Sequence, residues 1–186
     1  MNNKVETKFD VKTVVATAIG AAIFFVLMRF VAIPTWVPNT TINVAYGFVA
    51  LFGAVFGALP AALAAFIGHW LTDLSYGGAW YSWILGSTVC AYVLGYALKG
   101  NRVEKGEFTK AMKSRFVVGA VLANALAWLV VAPGLDVLIY QQPFEVVFAQ
   151  ATLAALTNLI GTLVVGYILI EAYAKTRTKS GSLSAK

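Results

Sequence analysis

The sequence has one cysteine, one histidine and five prolines in 186 residues, and only 12% of it is Asp, Glu, Lys or Arg. A lone Cys90 excludes an intramolecular disulfide, a CxxC metal site and a disulfide-stapled scaffold. It lies in an apolar run and reads as a small buried hydrophobe. With His69 as the single imidazole, a zinc site would lack its usual nitrogen and sulfur ligands, so no metal is expected. The chain also lacks a Walker phosphate loop, an HExxH motif and a Ser-His-Asp grouping, which argues against an ATPase or protease and leaves no catalytic residue to name. Dense interleaving of basic and aromatic residues is missing too, so the net charge of +6 does not point to nucleic acid.

What is present is apolar. Hydrophobic residues make up 60% of the chain and the mean hydropathy is +0.77, against roughly a quarter charged residues in ordinary soluble proteins. Thirteen of the fourteen Lys and Arg residues fall within residues 4–12, 99–115 and 175–186. Positively charged flanks stay on the cytoplasmic side during insertion, so both termini and the one basic loop are expected inside, with an even number of spans on each side of that loop. The opposite flanks carry Asp73, Asp136 and Glu145 without Lys. Arg29 is the exception. Anionic membrane lipid is the natural partner of the cationic flanks, and the cell membrane is the expected location. The N-terminal apolar run is too long for a signal-peptide core, and is expected to remain as the first helix.

A span needs about twenty apolar residues. Six segments meet or approach this, at about 11–33, 42–58, 60–74, 79–98, 114–131 and 145–174, followed by a basic tail at 175–186. The expected fold is therefore an all-α integral membrane protein, one domain over 1–186, with six transmembrane helices and both termini cytoplasmic. Pro34 should stop the first helix. Pro34 to Thr41 reads as a structured loop outside the membrane, Gly57 to Pro60 as a short turn, and Ser75 to Trp80 as a second external turn. Ala132-Pro-Gly134 should end the fifth helix, leaving Leu135 to Phe144 as a third external segment.

Several residues stand out against this apolar background. Ala18 and Ala22 are four apart in a small-residue patch, suited either to docking a partner helix or to packing inside the bundle. Arg29, near the outer end of helix one, either snorkels to headgroups or holds an anion or loop, with Asp73 or Asp136 as partner. His69 and Asp73 share one helix face, as a hydrogen-bonded pair or as part of a ligand site. Aromatics crowd the outward ends, among them Trp36, Tyr46, Tyr76, Trp80, Tyr81, Trp83, Trp128, Tyr140 and Phe144. An interfacial belt would place such residues on both sides, whereas these are skewed outward. Asn124 sits four before Trp128, and Gln150 and Asn158 are two turns apart on helix six. Buried amides need partners in hydrocarbon, so they satisfy each other or read a ligand. Together these groups resemble a small-molecule pocket.

Certain stretches resemble a known family: Lys12-Thr-Val-Val-Ala-Thr-Ala-Ile-Gly-Ala-Ala22, Ile33-Pro-Thr with Pro38-Asn-Thr40, Gly68-His69 with Asp73, Gly78-Ala-Trp80 with Ser82-Trp83, and Ala132-Pro-Gly-Leu-Asp-Val-Leu-Ile-Tyr140. They are similar to the substrate-binding S component of energy-coupling factor (ECF) vitamin transporters, in the riboflavin-type branch, over nearly the whole chain. The resemblance implies a six-helix subunit that captures a vitamin or precursor from outside. It then joins a transmembrane coupling subunit and two cytoplasmic ATPases, and topples to release its cargo. It also implies that Ala18 and Ala22 are the docking motif and that Pro34 to Thr41 is a lid. The pocket would draw on Arg29, Asn39, His69, Asp73, Trp80, Trp83, Asn124, Trp128, Asp136, Tyr140, Gln150 and Asn158. No cofactor is expected in this chain; ATP and Mg would belong to the partner ATPases.

Aromatic rings with amides and a carboxylate suit an aminopyrimidine at least as well as an isoalloxazine. The resemblance extends to chains that carry hydroxymethylpyrimidine, the thiamine pyrimidine precursor, so it implies hydroxymethylpyrimidine or a thiamine-like compound as the preferred substrate, with riboflavin or another micronutrient as the alternative. The rival classes are a stand-alone channel or carrier, disfavoured by the few intramembrane charges, and a purely structural membrane subunit.

Overall fold

A computed structural model describes residues 10–177 of the chain. The basic residues before position 10 and most of the basic tail lie outside the described residues. Helix α1 (Val11–Val26) starts where the Asp10 carboxylate accepts the Thr13 backbone N–H at 2.8 Å, satisfying one of the donors that a helix N-terminus leaves open. It continues as a π-helical turn, Leu27–Val31, and stops there, just before Pro34. Strands β1 (Ile33–Pro34) and β2 (Thr41–Ile42) pair antiparallel, Ile33 opposite Ile42 and Pro34 opposite Thr41. The loop expected at 34–41 is therefore a small hairpin. The Thr35 hydroxyl donates to the Thr40 carbonyl at 2.8 Å, and Asn39 takes φ 58 at its turn, a left-handed conformation that Asn tolerates better than most residues.

Helices α2 (Ala45–Phe56) and α3 (Ala58–Ser75) are separated by Gly57 alone, at φ 91. The turn is thus shorter than the expected Gly57 to Pro60, because Pro60 falls inside the first turn of α3, where its missing N–H costs nothing. Helix α4 (Tyr81–Ala97) is followed by a 3-10 turn at Val103–Lys105. Helix α5 (Lys110–Leu126) begins with Thr109 as its cap, four residues before the expected start.

The largest departure from the sequence-based expectation lies further along. Ala132-Pro-Gly134 does not end the fifth helix. A π turn, Ala127–Val131, leads directly into α6 (Ala132–Tyr140), with Pro133 in its opening turn. A π turn shifts the hydrogen-bond register, and a proline there is tolerated because its N–H is not required. The expected external segment from Leu135 is consequently helical, and the chain breaks only at Gln141, with φ 52. Helices α7 (Phe144–Gly161) and α8 (Tyr167–Thr176) are joined by a π turn, Thr162–Gly166.

Each expected span has its helical run. Three runs, Val11–Val31, Lys110–Tyr140 and Phe144–Thr176, are long and apolar enough to cross a membrane by length and composition. The 12-residue α2 covers about 18 Å, short of a hydrocarbon core of about 30 Å. Helix α3 packs on α1 and α4; α4 packs also on α2, α5 and α6; α7 packs on β2 and on the π turn after α5. Small residues set the closest crossings. A Cβ on Gly53 of α2 would lie 2.8 Å from the Gly95 Cα of α4, and one on Gly68 of α3 would lie 2.7 Å from the Ala21 carbonyl of α1. Phe24, Val49, Phe116 and Trp128 fill the interior between these crossings. The arrangement gathers the hairpin, the α3–α4 turn, α6 and the start of α7 at one end of the bundle.

Candidate functional site

At this hairpin end, the C-terminal turn of α3 presents Asp73 to the following loop. Its Oδ2 accepts the Trp80 backbone N–H at 2.9 Å, fixing the glycine-containing turn between α3 and α4. The Trp80 indole N–H in turn donates to Asp136 Oδ1 on α6, and the Ser82 hydroxyl donates to the same oxygen at 2.7 Å. The Trp80 and Tyr140 rings stack, with centroids 4.5 Å apart and planes 23° from parallel. The Tyr140 hydroxyl accepts the Tyr81 backbone N–H at 3.0 Å. Asp136 is 2% exposed, and none of the ion pairs among the described residues includes it. A buried carboxylate compensated only by neutral donors keeps lone pairs for a further donor or a cation.

Deeper in the bundle, His69 Nε2 lies 3.4 Å from Asp73 Oδ1, and His69 Nδ1 lies 2.5 Å from the Ser87 hydroxyl on α4. Ser87 is also 2.8 Å from the Tyr46 hydroxyl of α2. With Nε2 carrying its hydrogen toward Asp73, Nδ1 accepts from Ser87 and Ser87 accepts from Tyr46. Tertiary structure thus assembles an Asp-His-Ser line that the spacing did not reveal. Ser87 is fully buried and its hydroxyl is engaged within the core, so the line organises α2, α3 and α4 rather than exposing a nucleophile. The expected His69–Asp73 pair is formed.

A third wall comes from α5 and α7. The Trp128 indole N–H donates to Asn124 Oδ1 at 3.1 Å; Asn124 Nδ2 donates to the Ala120 carbonyl at 2.9 Å and approaches Thr162 Oγ1 at 3.4 Å. Trp128 meets Tyr46 edge to face at 5.2 Å and lies nearly parallel to Trp83 at 6.0 Å. Two aromatic planes and a fixed amide therefore border the same interior region as the Ser87 line. Asn158 on α7 is 4% exposed.

Other expected site residues fall elsewhere. Gln150 reaches the β1–β2 hairpin, donating from Nε2 to the Pro38 carbonyl at 2.9 Å. Asn39 is an exposed turn residue of that hairpin. Arg29 pairs with neither Asp73 nor Asp136. Its Nε donates to Ser75 Oγ at 2.9 Å and its guanidinium lies 4.3 Å from the Tyr76 ring centre, because the π turn ending helix one places it beside the α3 terminus. Ala18 and Ala22 are exposed on α1, so internal packing does not use that face. Among the described residues no three His, Cys, Asp or Glu side chains gather as a metal site.

Sequence reasoning missed Asn43, Ser82, Ser87 and Thr162, all buried. Single hydroxyls in apolar helices carry no local signature, since they can bond a carbonyl one turn back. Asn43 had one available signal, an Asn directly before an apolar run, which is the pattern of a helix cap.

Comparison with known proteins adds the family. The model of the family described as "ECF-type riboflavin transporter, S component" matches residues 8–175. A UPF0397 protein of Leuconostoc citreum is 43% identical over 186 residues, covering 100% of this chain and 99% of that protein. A UPF0397 protein of Lactobacillus johnsonii is 44% identical over 186 residues, covering 98% of each. Among solved structures, "Crystal structure of FolT bound with folic acid" superposes with a TM-score of 0.63 at 18% identity, covering 86% of this chain and 95% of that one. At that identity the likeness speaks to the fold alone.

Proposed function

This chain belongs to the ECF-type riboflavin transporter S-component family, and from that premise we propose that it is the high-affinity subunit of an ATP-driven importer for hydroxymethylpyrimidine or a thiamine-like compound. It is a multi-pass bacterial membrane protein and a vitamin-type substrate-binding subunit rather than an enzyme. The observation that carries the substrate reading is Asp136: a 2% exposed carboxylate, held by Trp80 and Ser82 and beside the Trp80–Tyr140 stack. A flat, donor-rich aminopyrimidine offers both a face for aromatic stacking and N–H groups for a carboxylate. Riboflavin is the second reading, favoured by the description of the family.

Six spans with both ends in the cytoplasm fit the charge distribution. The short α2 and the other helices that do not qualify alone would be sheltered by their neighbours. A transmembrane coupling subunit would meet Ala18 and Ala22, whose exposure suits close helix approach. Two cytoplasmic ATPases would hold the ATP and Mg and supply the work, while this chain supplies capture. The lid would be β1–β2, tied to α7 through Gln150.

The test is native mass spectrometry of the purified chain with ligand extraction, followed by titration with hydroxymethylpyrimidine, thiamine and riboflavin. Co-purification or saturable binding of a pyrimidine is the expected result. Binding of riboflavin alone would replace the substrate, and no binding of any of the three by folded protein would remove the reading.

A further inference from the structure

Three buried side-chain atoms have no hydrogen-bond partner among the described residues: Asn43 Nδ2, Asn158 Oδ1 and Glu171 Oε2. Glu171 Oε2 lies 2.8 Å from Lys113 Nζ, so the opposite charge compensates it. The other two are a donor and an acceptor on side chains in the bundle interior, Asn43 at 2% and Asn158 at 4% exposure. Unmet polar atoms at such depth are uncommon in folded proteins and call for a partner.

The two asparagines sit on neighbouring elements. Asn43 lies between β2 and α2, where its Oδ1 accepts the Ala45 backbone N–H at 2.9 Å. That bond fixes the amide and leaves Nδ2 as the unused half. A Cβ on Gly161 of α7 would lie 3.0 Å from the Asn43 carbonyl oxygen, and Asn158, three residues before Gly161, shares that helix face. One turn beyond Asn158, at the start of the π turn that follows α7, Thr162 meets Asn124, which holds the Trp128 indole; Trp128 packs against Tyr46, one turn on from Asn43. The donor and the acceptor thus belong to the two elements that meet where the chain entering α2 approaches Gly161 of α7.

We infer that Asn43 and Asn158 read the substrate as a pair: Asn43 Nδ2 donates to a ring nitrogen or carbonyl oxygen, and Asn158 Oδ1 accepts from an adjacent N–H. The ligand class is a planar heterocycle with an acceptor and a donor side by side, which is the amidine edge of a 4-aminopyrimidine or the imide edge of a flavin. This rests on the reading of the chain as a substrate-binding subunit. Asp136, on α6, belongs to a different set of contacts and meets another part of the ligand.

The full chain, purified in detergent, would be titrated with hydroxymethylpyrimidine and with its 4-dimethylamino analogue, and in parallel with riboflavin and 3-methylriboflavin. Methylation removes the donor of each edge. Wild type should prefer each parent that it binds over its methylated form by about tenfold or more. Asn158→Leu should reduce that preference to about twofold or less, since no acceptor is left to discriminate. Asn43→Ser keeps a side-chain oxygen able to accept the Ala45 N–H and removes the amide donor without adding charge, and should weaken the parent by about tenfold or more, with the thermal transition measured alongside to separate binding from folding. If wild type binds a parent and both variants keep its affinity and preference, the inference is overturned and the transport reading stands. If wild type binds none of the four probes, the transport reading fails and the pair assignment fails with it.

Discussion

The indole nitrogen of Trp80 donates to the carboxylate of Asp136, 56 positions later in the chain. This bond ties the start of α4 to the middle of α6 and fixes a buried carboxyl group at the hairpin end. Asp136→Asn keeps the shape and removes the charge. Affinity for hydroxymethylpyrimidine should fall roughly tenfold to a hundredfold, the range for a hydrogen bond to a charged group. Isothermal titration checks this, and wild-type affinity in the variant would take Asp136 out of the site.

Trp128 calls for a conservative change. It is 1% exposed, so Trp128→Ala should cost about 3–5 kcal/mol of folding stability, and lost binding would report on folding. Trp128→Phe keeps most of the packing and leaves Asn124 Oδ1 without its donor. We expect a modest drop in thermal transition, about 1–3 kcal/mol, with weaker ligand binding. An unchanged titration curve would mean that the ring shapes the bundle without touching substrate.

The exposed α1 face predicts a separation of roles. Ala18→Leu with Ala22→Leu should abolish co-purification with the transmembrane coupling subunit, because larger side chains hold the helices apart. Ligand affinity should stay unchanged. Wild-type recovery of the complex would assign docking to another face.

Gln150 links α7 to the β1–β2 hairpin by a single side-chain bond to the Pro38 carbonyl. Gln150→Leu should loosen the hairpin and raise the rate of ligand release several-fold, with a smaller effect on association. Stopped-flow measurement of tryptophan fluorescence separates the two rates; equal dissociation rates would show that the latch does not govern escape.

Close helix crossing makes Gly53 intolerant of a side chain. Gly53→Val pushes against the Gly95 backbone, which cannot swing aside as a side chain would. The variant should lose at least about 1–3 kcal/mol, the usual cost of overpacking. Leu122→Ala, at a position 59% exposed, should leave the thermal transition in detergent nearly unchanged. Equal transitions in the two variants would contradict the close packing of α2 on α4.

Much of the helical framework was legible in the sequence, because apolar runs, prolines and basic flanks act locally. The stop before Pro34 and the Asn124–Trp128 pair one helical turn apart both follow from rules of a few residues. Pro133 misled for the same reason: a local breaker rule cannot see that a π turn has already shifted the register. Of the alternatives for Arg29, an aspartate partner is not formed, because the π turn sets the guanidinium beside Ser75 and Tyr76 at the α3–α4 turn.

The candidate site divides in the same way. His69 and Asp73 share a helix face by spacing alone, whereas Ser87 and Tyr46, which extend their line, lie on two other helices. Asn43 was missed because its interest is an unused N–H, a property that emerges only when every neighbour is in place.

By itself, the sequence determined a helical membrane protein with segregated basic segments, aromatics clustered away from them and a small-residue face on the first helix. These follow from the cost of placing charge and unpaired backbone in hydrocarbon. Only tertiary structure decided which polar groups satisfy one another, leaving, among the described residues, Asp136 without a cation and Asn43 and Asn158 each with one atom unpaired. Packing brings together residues dozens of positions apart, and the hydrogen bonds left unmade are visible only after that packing is complete.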